Sequence, residues 1–227
     1  MSRPRTGQRE RIARAGGRLF RHKGYHGTSM ADIGAAVGLR KASLYNHVST
    51  KQDMLRELVE RGAALFMDGI PPIAEGADPA PTRLRHAMRM HLRIVAEHPD
   101  LAGVFLHEWR QLEGDARTRI GDLRDRYERI WRTMILDGIR DGHFRPNLDA
   151  RFAALSMLSA ANWTYQWYDP RGALSPDAVA DRFTDLALDG MKYDGAPTGP
   201  ERQMSGSAIS THASDDRPPM TTVTGES

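Results

Sequence analysis

The stretch Thr28-Ser29-Met30-Ala31-Asp32-Ile33-Gly34-Ala35-Ala36-Val37-Gly38-Leu39-Arg40-Lys41-Ala42-Ser43-Leu44-Tyr45-Asn46-His47 decides the fold. Met30, Ile33, Ala36 and Val37 recur at helical spacing and predict a short helix that is apolar on its inner side. Thr28 stands where an N-cap belongs. Gly38 supplies the positive φ of a tight turn, and Leu39 buries in it. A second short helix follows over Arg40 to His47. In it Leu44 points inward, while Arg40, Lys41, Ser43, Asn46 and His47 face outward and Tyr45 lies beside the backbone. One small apolar helix bracing another that exposes polar side chains is what a duplex-reading helix-turn-helix requires, because the major groove admits one helix.

Working outward, Ile12, Ala15, Gly16, Leu19 and Phe20 put one apolar side on a helix over Gln8 to Lys23, with arginines on the other faces. Gly24 follows as a C′ glycine. Ser49 or Thr50 caps a fourth helix, Lys51 to about Met67. Pro71, Pro72, Gly76, Pro79 and Pro81 then interrupt the chain. Further helices are expected at 82–97, 100–113, 116–141, 150–167 and 176–192. Asp149 caps one of these, and Ser175 with Pro176 opens the last. The expected fold is therefore all-α, with about nine helices and no sustained strand alternation. From Asp194 the chain is rich in Gly, Pro, Ser and Thr, a composition that predicts a disordered tail. The expected organisation is 1–50 for an N-terminal arm and helix-turn-helix, 51–193 for a ligand-binding and dimerisation part, and 194–227 for the tail.

The 227 residues contain no cysteine, which excludes disulfides and thiolate chemistry and fits a reducing cytoplasm. The opening residues have no apolar run of the secretory kind. The net charge of +3 is unevenly placed: residues 1–50 carry ten Lys/Arg against Glu10 and Asp32, a local balance of +8. A basic end on a near-neutral body points to a polyanion partner. The nine histidines show no ligand spacing, so no metal is expected. No Gly-rich phosphate loop, nucleophile elbow or carboxylate pair stands out, so no enzyme and no cofactor is expected.

The strings Gly24 to Ile33 and Gly38 to Lys51 resemble the TetR family of bacterial regulators: a glycine-aromatic pair, a Thr, a turn glycine, and Ser43-Leu44-Tyr45-Asn46-His47 before the lysine that opens helix 4. Val48 replaces the usual Phe, and Ala42 a common Gly or Ser. The resemblance implies phosphate contacts by Thr28 and Lys51, and phosphate or sugar contacts by Tyr45 and His47. Arg40, Lys41, Ala42, Ser43 and Asn46 become candidates for base edges. Arg3 and Arg5 would form a basic arm able to enter a minor groove. Plainer readings stand beside these, with Tyr45 as core and His47 as a solvated cap.

Residues 137–149 and 161–176 resemble the C-terminal type found in regulators of fatty-acid, steroid and acyl-CoA catabolism. That implies a homodimer, with Trp163, Trp167, Phe183, Leu186 and Met191 at the interface, and an effector such as an acyl-CoA thioester or fatty acid. Candidate pocket walls are Met88, Leu92, Val95, Phe105, Trp109, Tyr127 and Trp131, with His91, Glu108, Asn162 and Gln166 as polar anchors. Ordinary core is the plainer reading of most walls. The expected function is repression from a near-palindromic double-stranded DNA operator, relieved by a small hydrophobic or acyl-CoA-type effector, with no membrane partner. The alternatives are a ligand-independent or activating regulator, or a helical lipid-binding protein with a vestigial helix-turn-helix.

Overall fold

The structure, a computed structural model, describes residues 5–192, except the side chains of Arg5, Thr6 and Lys41. The expected tail at 194–227 and the arm residue Arg3 lie outside the described residues, as does the side chain of Lys41. Among the described residues there are ten α-helices and one 3-10 turn: α1 (Arg5–Lys23), α2 (Met30–Ala36), α3 (Lys41–Tyr45), α4 (Lys51–Gly69), α5 (Pro71–Ala74), α6 (Ala80–Glu97), α7 (Pro99–His107), the 3-10 turn Glu108–Gln111, α8 (Gly114–Arg140), α9 (Ala150–Trp167) and α10 (Pro176–Met191). The expected nine helices are present. The tenth, α5, is a single turn inside the proline-rich connection, where Pro71 sits at a first helical position that needs no N–H. Helix α1 begins at Arg5, three residues earlier than expected, so Arg5 belongs to the helix and not to an arm.

The caps follow from local chemistry. Thr50 accepts from the Asp53 N–H at 2.9 Å, Asp149 from Phe152 at 2.9 Å and Ser175 from Ala178 at 3.1 Å. Thr28, by contrast, is not the cap of α2. That role falls to Ser29, whose hydroxyl accepts from the Asp32 N–H at 3.1 Å while Asp32 accepts from the Ser29 N–H at 2.8 Å. The reciprocal pair is a capping box with Asp in the place more often held by Glu. Thr28 instead turns inward, 1 % exposed, and its hydroxyl donates to the Gly24 carbonyl at 2.9 Å.

One continuous core runs from Ile12 and Phe20 in α1, through Ile33 and Leu44, to Leu55, Leu58 and Phe66 in α4, and on to Phe105, Trp131 and Met134. Close approach of α4 and α7 depends on Gly62, where a Cβ would come within 2.6 Å of the Leu101 carbonyl oxygen. Helix α10 is fastened to α6 by ion pairs. Arg89 meets Asp181 at 2.7 Å, Arg85 reaches Asp185 at 2.6 Å, and Arg93 pairs with Asp177. Among the described residues no helix is long and apolar enough to cross a membrane.

Candidate DNA-reading surface and effector cavity

Helix α3 is five residues long, too short to be stable alone. Its placement comes from Leu44, fully buried, and from Val48, also buried, which lines a polar pocket of about 400 Å³ with His47, Arg9 and Asp53. The turn before it holds Gly38 at φ +70°, and the Leu39 N–H donates to the Gly34 carbonyl at 2.9 Å. A Cβ on Gly34 would sit 3.0 Å from the Leu39 oxygen, so this glycine lets the turn close on α2. With Leu44 inward, Arg40, Ala42, Ser43, Tyr45 and Asn46 are exposed and His47 is half-buried. Tyr45 is 43 % exposed, which removes the reading of it as core.

Lys51 has an intramolecular role that its sequence position did not disclose. Its ammonium donates to the Tyr25 and Thr28 carbonyls, both at 2.9 Å, and lies 4.0 Å from the centre of the Tyr25 ring. Lys51 thus ties the start of α4 to the connection that positions α2. Thr28 likewise spends its hydroxyl within the chain.

The candidate pocket residues divide into two groups. Met88, His91 and Trp131 are fully buried in the core, and of these Met88 also lines the groove on α9 and α10. His91 sits among Phe66, Tyr127 and Trp131, with Nδ1 2.9 Å from the Tyr127 hydroxyl. Burial, and secondarily the charge of Arg124, lower its pKa to about 3, so the ring is neutral. Leu92 and Val95 pack against Thr164, Tyr168 and Val179 around a negligible void. Gln166 is exposed and bonds to the neighbouring Tyr165 hydroxyl, away from the core.

The second group lines a real cavity of about 390 Å³ between α7, the 3-10 turn, α8 and α9. Phe105, Trp109, Tyr127 and Asn162 belong to it, joined by Arg110, Gly121, Arg124, Leu155 and Leu158, none of which was expected. The missed signal was Arg124 itself. Ile120, Tyr127 and Trp131 form a buried stripe on α8, and Arg124 occupies the position on that stripe where an apolar residue belongs.

Glu108 is not a pocket residue: it faces the helix-turn-helix. The Tyr25 N–H donates to Glu108 Oε2 at 3.0 Å. From the same turn, the Gln111 carbonyl accepts from the Gln52 amide at 2.8 Å, and its side chain lies 2.7 Å from His26 Nε2. Nearby, Arg21 at the end of α1 reaches Asp100 at 3.4 Å and the Tyr165 carbonyl at 3.3 Å. One 3-10 turn therefore presents Trp109 and Arg110 to the cavity and Glu108 and Gln111 to the DNA-reading half.

A third feature is an apolar face on α9 and α10. Phe152 is 70 % exposed, Trp163 59 % and Leu186 75 %, with Trp167 and Leu155 also open. Phe152 and Leu186 border a groove of about 570 Å³ lined also by Ala153, Ser156, Ala160, Phe183 and Gly190. Of the expected interface residues, Met191 is buried and only Trp163, Trp167 and Leu186 are exposed.

Residues 12–58 match the model of "Bacterial regulatory proteins, tetR family", and residues 77–191 match "Tetracyclin repressor-like, C-terminal domain". The chain is 28% identical over 193 residues to the HTH-type transcriptional repressor KstR2 of Rhodococcus jostii, covering 82% of this chain and 92% of that protein. Among solved structures it is similar to the TetR family regulator PfmR of Thermus thermophilus, with a TM-score of 0.71 and 32% identity over 80% of this chain and 99% of that one. It is also similar to AibR, solved with isovaleryl coenzyme A and operator DNA, with a TM-score of 0.70 and 28% identity over 79% and 97% of the two chains. The chain accordingly belongs to the TetR family, and is a helix-turn-helix, DNA-binding transcriptional repressor of that family.

Proposed function

We propose that two copies of this chain, joined through α9 and α10, hold their α3 helices in successive major grooves of a near-palindromic operator in the cytoplasm and release it when a small hydrophobic or acyl-CoA-type effector enters the cavity. The observation that supports the effector reading most directly is the double-sided 3-10 turn. Trp109 and Arg110 line the cavity, and Glu108 and Gln111 hold the α1–α2 connection and the start of α4. A ligand that displaces this turn acts on the reading helices without touching them. It shifts the equilibrium only by its differential affinity for the two arrangements.

The dimer reading is supported by the open aromatic and aliphatic side chains of α9 and α10, since a contiguous exposed apolar patch marks an interaction surface. Arg40, Lys41, Ala42, Ser43, Tyr45, Asn46 and His47 are assigned to the duplex. Thr28 and Lys51 contribute through backbone geometry, which their internal bonds support. We retain 1–50 as the DNA-reading part and 51–193 as the sensing part.

Binding to duplexes selected from a random pool, measured by fluorescence anisotropy at salt high enough to remove loose cation–phosphate attraction, tests the reading. Sequence preference, two chains per duplex and loss of binding on addition of isovaleryl or decanoyl coenzyme A are expected. Leu186→Glu is expected to yield a folded monomer by light scattering, with operator affinity at least tenfold weaker. A monomeric wild type, or indifference to sequence, would refute the proposal.

A further inference from the structure

Most part-buried arginines of this protein are neutralised by a carboxylate. Arg83, 10 % exposed at its side chain, meets Asp137 at 2.9 Å, and Arg21, Arg85 and Arg89 have acidic partners of their own. Arg124 makes no ion pair among the described residues. Its guanidinium lies over the rings of Phe105 and Trp109, 5.3 and 5.0 Å from their centres, and donates one bond to the Phe105 carbonyl at 3.3 Å. A guanidinium carries five N–H donors, so this bond accounts for one of them. Burial and then the neighbouring charge of Arg110 lower the Arg124 pKa to about 10, against a weaker favourable influence of Asp125. Glu128, the other carboxylate at the cavity, is turned toward Arg151 at 3.7 Å.

Two further polar atoms on the same walls are buried and have no partner among the described residues: the Trp109 indole N–H and Asn162 Oδ1. The oxygen and nitrogen of an asparagine amide interchange by a flip, so Asn162 presents either a donor or an acceptor. Around these groups the walls are Phe105, Leu106, Tyr127, Leu155 and Leu158. Arg110, Arg124, Asp125, Glu128 and Ser159 make the lining mixed, with apolar wall on one part of it, and within it Arg124, the Trp109 indole N–H and Asn162 are the groups left without a polar side-chain partner among the described residues. Buried polar groups in a folded protein find partners, and the indole N–H and Asn162 Oδ1 face a space that a bound molecule could fill.

We propose that this cavity takes an organic acid, its carboxylate held by Arg124 with support from Trp109 and Arg110, and its apolar body lying along Phe105, Tyr127 and Leu158. A paired guanidinium and carboxylate bond through two parallel N–H···O contacts, a geometry a neutral ester cannot reproduce. The cavity's volume of about 390 Å³ lies near the lower end of small-molecule sites and suits a medium-chain or arylalkanoic acid. The inference rests on reading the cavity as the effector site and names the chemistry that the site selects.

The test is calorimetric titration and thermal shift of the full chain without DNA. The probes are the straight-chain carboxylates from hexanoate to hexadecanoate, 4-phenylbutyrate, the methyl ester of each, and decanoyl coenzyme A. At least one carboxylate is expected to raise the Tm and to bind at least tenfold more tightly than its ester. Arg124→Met is expected to weaken that carboxylate at least tenfold and to leave the ester unchanged. Arg110→Gln, a change at an exposed position, is expected to weaken it about threefold and reduce its salt dependence. Binding of ester and acid alike, an Arg124→Met protein that holds the acid as well as the wild type, or recognition of decanoyl coenzyme A with no free acid in the series bound, would each overturn the proposal. An acid bound through Arg124 that leaves operator affinity unchanged would refute the effector reading alone. An operator released by a ligand indifferent to Arg124 would do the reverse.

Discussion

Glu108 and Tyr25 are joined across the two halves of the chain, the Tyr25 N–H donating to Glu108 Oε2 at 3.0 Å. Tyr25 follows Gly24, whose φ of +74° ends α1, so the bond is anchored at the connection that sets where α2 and α3 lie. Replacing Glu108 with Ala leaves that N–H without its charged acceptor and cuts the turn's grip on the reading half. In Glu108→Ala, effector affinity should stay within about twofold of wild type, whereas the effector-induced drop in operator affinity should shrink at least fivefold. Titrating operator with and without effector, and effector without DNA, separates the two quantities. Unchanged coupling would show that the signal does not depend on the Glu108–Tyr25 bond.

Tyr45 and Leu44 are neighbours with opposite fates, one 43 % exposed and the other fully buried. Tyr45→Ala should abolish operator binding while shifting stability by no more than about 0.5 kcal/mol, as expected at an open position. Leu44→Ala should lose about 2–5 kcal/mol through the cavity it leaves under α3. Urea unfolding of both variants decides this, and the reverse order of stabilities would contradict the orientation of the reading helix.

The ammonium of Lys51, bonded to two carbonyls, makes a stabilising contribution independent of any duplex. Lys51→Met should cost about 1.5–3 kcal/mol, the range for hydrogen bonds to a charged group. Amide exchange should quicken at residues 25–30 before it does in α6 or α8. Normal protection in that segment would restore the view of Lys51 as a phosphate contact only.

His91 makes stability depend on pH in a defined direction. Its folded pKa, about 3, lies below the ordinary value of 6.5, so between those limits the unfolded chain binds a proton that the folded chain refuses. The fold is therefore unaffected by this group above pH 6.5 and loses stability as the pH falls toward 3. One proton corresponds to about 1.4 kcal/mol per pH unit. His91→Leu should remove that much of the slope between pH 6 and 4, with urea midpoints measured at each pH. The Asp177 and Asp181 carboxyls, held low by Arg93 and Arg89, contribute separately and only below about pH 4, the ordinary carboxylate range, so they do not mask the effect.

Periodicity and punctuation carried much of the architecture. The turn glycine Gly38, the caps Thr50, Asp149 and Ser175, and the inward set Ile33, Leu44 and Phe20 are local facts, written in residue type and spacing. They determined an all-helical chain with a helix-turn-helix near its start, because helix ends and apolar stripes depend on neighbours three or four residues away. Even there, Ser29 displaced Thr28 as the cap, since both hydroxyls stand at the helix start and only the path of the chain decides which one turns inward.

The sensing site was decided by the tertiary structure. His91 and Trp131 carry the same pattern as Phe105 and Tyr127, and all four are buried, yet only Phe105 and Tyr127 also border the cavity between α7, α8 and α9. No spacing rule distinguishes them, because a void arises where several helices fail to meet, which is a property of their mutual placement. Glu108 and Gln111 face the α1–α2 connection for the same reason, and Arg124 makes no ion pair among the described residues although Asp125 and Glu128 line the same cavity, because Glu128 is turned toward Arg151. Sequence sets the face that each helix offers, and only the packing of α4, α7, α8 and α9 determines what that face meets.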